Sequence, residues 1–156
     1  MQKRSFEFIA GSPALCFVDT KGNRGGAGVE RLPDQAALVA WFRQAGLITD
    51  ETGLDIAGGS QSEMLGEARA LREAIYAAGK RVIAGDQPEE ADIALLNRLA
   101  RHGPPRPQWI GGAVRQMAAD PVCSGLSEIA VDAIRLFTGP DKDRIRTCPD
   151  CHMMFV

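Results

Sequence analysis

Ser60-Gln61-Ser62-Glu63, followed by Leu65, Ala68, Leu71, Ile75, Ala78 and Val82, is the stretch whose reading decides the fold. Serine and glutamate three residues apart form a capping box, in which each side chain satisfies a free backbone amide of the other's turn. The apolar residues then recur every three or four positions, so one face of a helix over 60–84 is apolar. Glu67, Arg69, Glu73, Lys80 and Arg81 fall mostly on the opposite face, and Gly85 stops the helix. Pro88 opens a second helix with Ala91, Leu95, Leu96 and Leu99 inside and Gly103 at its end. So short a connection makes the two helices an antiparallel pair.

Working outward, Leu38, Trp41, Phe42 and Ala45 place a helix between Pro33, suited to a first turn, and Gly46, suited to a C-terminal cap. Trp41 reads as a core anchor. Thr49 to Gly59 is a polar connection. Toward the C-terminus, Arg106–Ile110 and Ala113–Met117 flank Gly111-Gly112, a two-residue hairpin turn. Trp109 reads as a strand residue packing on a helix, or lining a pocket. A last helix covers 126–137, with Ile129, Ala130, Ala133, Ile134 and Phe137 inward and Gly139-Pro140 as its stop. At the N-terminus, Phe6, Phe8 and Ala10 alternate with polar neighbours, and Leu15-Cys16-Phe17-Val18 is a short apolar run. Both read as strands, paired as a hairpin. Gly22-Asn23-Arg24-Gly25-Gly26-Ala27-Gly28 lacks any phosphate-loop signature and reads as a turn. The expected fold class is α+β, mostly helical, with short N-terminal strands and a small β-hairpin packed on a helical core.

The 156 residues suit one domain with a small appendage, and 45% apolar content supports a core without disulfides. A formal net charge of −2 argues against a surface that grips nucleic acid as a whole. No run of apolar residues is long enough for a membrane span, and no secretory signal is evident, so a reduced cytoplasm is the expected setting. Cys16 and Cys123 then read as small buried hydrophobes.

Cys148-Pro149-Asp150-Cys151 carries the chemistry. Two intervening residues let both thiolates reach one tetrahedral zinc from a tight turn, with an extended segment on either side, as in one half of a zinc knuckle. The same spacing serves redox chemistry, but there it opens a helix within an α/β pattern. Zinc takes four ligands and this turn offers two. His152 directly follows Cys151, and adjacent side chains diverge. Either a second pair follows beyond Val156, or two copies share one ion. Asp19, Arg24, Glu30 and Arg31 are candidate ligand-binding groups or, alternatively, an Arg–Glu pair that orders the glycine-rich loop. Arg144 and Arg146 beside the turn are candidate nucleic-acid contacts, or an ordinary solvated strand edge. The histidines are His102 and His152, no serine sits in a nucleophile elbow and no carboxylates are paired, so an enzyme is not expected.

Several pieces together resemble the CGNR zinc-finger family, whose N-terminal portion is the ABATE domain, described as a stress-induced transcription regulator. Leu15-Cys16-Phe17-Val18-Asp19-Thr20 is similar to the family's Leu-Asp-Phe-Val-Asn-Thr. Arg24, Glu30-Arg31-Leu32, Trp41, Ala45-Gly46-Leu47, Ala70-Leu71-Arg72-Glu73-Ala74 and Arg144 to Cys151 follow in order. The resemblance departs at Cys16, where the family prefers Asp, and at Asp19, where it prefers Asn. It implies an ABATE-like domain over 1–140 and, over 141–156, the first half of a zinc module. The module's remaining cysteines, in the Cys-Gly-Asn-Arg signature, would lie past the sequence given, as in a chain truncated there. The implied function is a transcription regulator that senses or dimerises through its helical part and touches DNA through a zinc finger. DNA through the missing part, a small-molecule effector and a second copy are the partners this implies; a membrane is not. The alternative is a small-molecule-binding or protein-interaction domain that zinc merely staples.

Overall fold

The computed structural model describes residues 6–48 and 61–156, with the side chains of Gln61 and Ser62 excepted. The Ser60 capping box and the 49–59 connection therefore lie outside the described residues. Five α-helices and three two-stranded antiparallel sheets make up the described fold, so the α+β, mostly helical class holds.

The long central helix, α3 (Gln61–Ile83), follows the predicted periodicity. Ala68, Leu71, Ile75 and Ala78 are buried, Leu65 and Val82 pack partly against the core, and Gly85 adopts φ 80° just beyond the helix. It packs against α1 (Pro13–Val18), α2 (Gln35–Gln44), α4 (Glu90–Ala100) and α5 (Pro121–Thr138). Leu126, Ile129, Ala130 and Ala133 of α5 complete the core. Each fully buried leucine or isoleucine there contributes roughly 1.5–3 kcal/mol relative to exposure.

α2 starts later than Pro33 suggests, because Asp34 caps it by accepting from the Ala37 amide, and Gly46 closes it at φ 72°. Trp41 is fully buried. Its ring centroid lies 5.0 Å from Phe17, 5.9 Å from Phe42 and 5.4 Å from Phe8. α4 likewise begins after Pro88, and Ala91 is exposed rather than part of its inner stripe. α5 begins five residues earlier than predicted (121 against 126) because Asp120 caps it, accepting from the Val122 and Cys123 amides ahead of Pro121. The 106–117 hairpin forms as expected. β3 (Arg106–Ile110) pairs with β4 (Ala113–Met117) around Gly111 and Gly112, both at positive φ. Trp109 is 84% exposed on it rather than packed on a helix.

The N-terminal hairpin does not form. Residues 13–18 are helical and Phe6 to Ala10 form no strand. Ser12 caps α1 by accepting from the Leu15 amide, Pro13 fits its first turn, and Asp132 of α5 accepts from both the Ser12 hydroxyl and the Ala14 amide. A short helix buried on all sides shows the same unbroken apolar run as a buried strand, so periodicity cannot separate them. The N-terminal strands lie further on: β1 (Lys21–Gly22) pairs with β2 (Val29–Glu30) across the glycine-rich turn.

Candidate metal half-site and its seat

A 3₁₀ turn (Pro140–Arg144) leads from α5 into β5 (Arg146–Thr147), which pairs with β6 (Met154–Phe155). Between these strands the Cys148–Cys151 turn closes on itself. The Cys148 amide donates to the Met153 carbonyl at 2.9 Å, and the His152 amide returns to the Cys148 carbonyl at 3.0 Å with His152 at φ 58°. Both cysteines are free and half-buried. The Cys151 amide, the Cys151 thiol and the Asp150 amide all face the Cys148 sulfur, and together they hold its pKa below the ordinary thiol value. Amides that favour a thiolate are what a metal-binding turn supplies. Two thiols on such a turn fit Zn²⁺, which would take two further ligands. Among the described residues no third histidine, cysteine or carboxylate joins them.

The turn is seated on the helical core. Met154 and Ile145 are buried in the same cluster as α3 and α5. Gly79 of α3 makes room for Met154, since a Cβ there would fall 2.8 Å from its Sδ. The Met154 amide donates to Oδ1 of Asp19 at 3.3 Å, and the Val156 amide donates to the Ala10 carbonyl at 2.9 Å. The glycine-rich loop lies against the turn: a Cβ on Gly25 would approach the Asp150 carbonyl to 2.7 Å and the His152 ring to 3.2 Å. Close approach to this turn is what requires glycine there.

Asp19, Arg24, Glu30 and Arg31 come together beneath that loop, and the main partners of Arg24 and Glu30 are on α3. Arg24 donates to Glu73 at 2.7 and 3.2 Å and stacks 4.0 Å above the Tyr76 ring. Arg72 grips Glu30 with two 2.7 Å bonds and also donates to Glu73 and Thr20. Arg31 donates to the Asp19 carbonyl. Burial acts to raise the Glu30 and Glu73 carboxyls, but the arginines outweigh it and both sit below their ordinary values. Burial pushes the Asp19 carboxyl up to about 6, against the pull of the Met154 amide, Arg24 and Arg31. The network therefore fastens the loop to α3. Arg72 and Glu73 are the members that the sequence reading missed. The available signal was Arg72, which falls in the helical row of Ala68 and Ile75 and is 2% exposed.

Arg144 pairs with Asp141 at 2.8 Å, and Arg146 donates to the Asp143 and Ile145 carbonyls; the arginine ends of both are exposed. Cys16 is buried, and burial raises its thiol. Cys123 is only half-buried, not the fully buried residue expected, because it sits in the first turn of α5. Burial and the Asp120 carboxylate push its thiol up to about 11.

A family model described as "Putative stress-induced transcription regulator", the ABATE family, matches residues 11–140. The chain belongs to this family. Comparison with curated proteins and with solved structures gave no match. No helix among the described residues is long and apolar enough to cross a membrane.

Proposed function

We propose that this chain is the part of a transcription regulator that senses or dimerises, and that Cys148 and Cys151 are half of a zinc finger that contacts DNA. The observation that carries the reading is the seating of the Cys148–Cys151 turn on the core through Met154, Asp19 and Ala10. A metal held by that turn would be fixed to the helical domain, so a change in the helices would reach a DNA-binding finger directly. Two further zinc ligands would come from beyond Val156 or from a second copy. Arg144 and Arg146, exposed just ahead of the turn, are the residues of this chain that would meet phosphates.

The test is a mobility-shift titration of the full-length gene product at about 50 and 200 mM salt, since phosphate contacts make affinity fall steeply with salt. Metal-dependent binding that weakens at least tenfold over this range (about two phosphate contacts or more) is expected, with loss in Cys148→Ser. Binding that is absent, or insensitive to salt, removes DNA contact from the function.

A further inference from the structure

An organised concavity outside the half-site lies where α3 ends, α4 begins and α5 runs into the 3₁₀ turn. Its volume is about 300 Å³. Val82, Ile93, Leu96, Ile134 and Phe137 form its apolar wall, with Leu96 and Phe137 part of the core itself. An apolar cavity of about 150 Å³ holds a benzene molecule, so this one takes a body about the size of two fused rings. Small-molecule sites are built this way, from an apolar wall with a few polar groups at the mouth.

Asp86, Lys142 and Asp143 supply those groups. None of their side chains hydrogen-bonds or ion-pairs with another described residue, whereas Arg24, Glu73, Arg72 and Glu30 are all engaged. Two carboxylates and one ammonium line the mouth, while the neighbouring guanidiniums are taken up elsewhere, Arg81 by the Gln87 carbonyl and Glu89 and Arg146 by the Asp143 and Ile145 carbonyls, so the unengaged groups favour a cation over an anion at this end of the ligand.

We propose that this cleft is an effector site for a small apolar amine, with an aromatic or branched body and one protonated nitrogen. The body fills the space between Ile93 and Phe137, and the nitrogen lies between Asp86 and Asp143. The site has a direct path to the half-knuckle. Lys142 and Asp143 belong to the 3₁₀ turn, the Asp143 carbonyl accepts from Arg146 at 2.7 Å, and Cys148 follows two residues after Arg146. Only this last consequence rests on the regulator reading; binding does not.

Tryptamine, indole and indole-3-propionate share one body and differ in the charge of the tail. Titrating each into the isotope-labelled chain, without metal or DNA, gives affinities from NMR shifts and locates the site through the Ile93 and Ile134 methyls. Tryptamine is expected to bind at least about fivefold tighter than indole-3-propionate, the upper range for one exposed ion pair. Asp86→Asn with Asp143→Asn should reduce that preference while leaving indole affinity unchanged. Ile93→Glu, at a position already 37% exposed, should abolish binding of all three without unfolding the chain. Equal affinity for amine and carboxylate, shifts that survive Ile93→Glu, or no saturable binding of any probe overturns the proposal. None of these outcomes bears on DNA binding, which the mobility shift tests separately.

Discussion

Arg72 and Glu30, 42 residues apart, meet through two parallel hydrogen bonds of 2.7 Å each, with the guanidinium 97% removed from solvent and the carboxylate one-third exposed. Fork-to-fork geometry of this kind fixes orientation as well as position. It sets where β2 leaves the glycine-rich loop, and so where that loop meets the cysteine turn.

Truncating the two partners should have unequal effects. Glu30→Ala leaves a buried guanidinium with Glu73 as its remaining carboxylate and is expected to lower stability by about 3 kcal/mol. Arg72→Met leaves carboxylates that can rehydrate and keeps an apolar stem, so its loss should be smaller. Urea denaturation of both variants measures this, and the reverse order would refute the account.

Asp19 predicts a pH dependence of definite sign. Its folded-state pKa of about 6 lies above the ordinary carboxylate value of 3.8, so the native state binds this proton more tightly than the unfolded chain does. The stabilisation is complete at low pH and fades as pH rises through that window; above it the native state holds a buried charge. Asp19→Asn keeps an oxygen for the Met154 amide without the charge. It is expected to raise the melting temperature by roughly 2–4 °C at neutral pH, and to change it little at pH below the ordinary value of 3.8, where the carboxyl is protonated in both states. A gain of equal size at both pH values would show that desolvation of the carboxylate is not the cause.

Alkylation should rank the thiols. Cys148, half-exposed and with its pKa lowered by neighbouring amides, is expected to react first with iodoacetamide, and the buried Cys16 last. Cys123, with its thiol pushed up to about 11, should also lag. Mass spectrometry of the peptides after a short exposure reads the order, and early labelling of Cys16 would contradict its burial.

Gly25→Ala tests the seat of the turn. The added methyl meets backbone at Asp150, which cannot swing aside as a side chain would. Metal affinity of the full-length gene product, measured by chelator competition, should fall about tenfold, the lower range for groups that orient metal ligands. An unchanged affinity would mean that the loop does not hold the turn in place.

The elements with strong periodicity were legible in the sequence. α3 and the Gly111-Gly112 hairpin announced themselves because half of each helix faces water and because only glycine sits easily at two successive positive φ angles. α1 was not, since Ala14 to Val18 are all buried and leave no polar face to set a period. The cysteine turn was visible from spacing alone. Its support was not: Arg72 and Glu73 look like an ordinary charged pair on a helix, and only the packed fold brings them to Glu30 and Arg24. Asp19 lies 135 residues from Met154, a pairing that no local pattern encodes.

The two indoles of this chain occupy opposite extremes, Trp41 sealed among phenylalanine rings and Trp109 84% exposed on the hairpin. Emission from the first should be blue-shifted and shielded from acrylamide, that from the second red-shifted and readily quenched. The protein thus carries two built-in optical reporters, one for loosening of the helical interior and one for anything that settles on the ribbon.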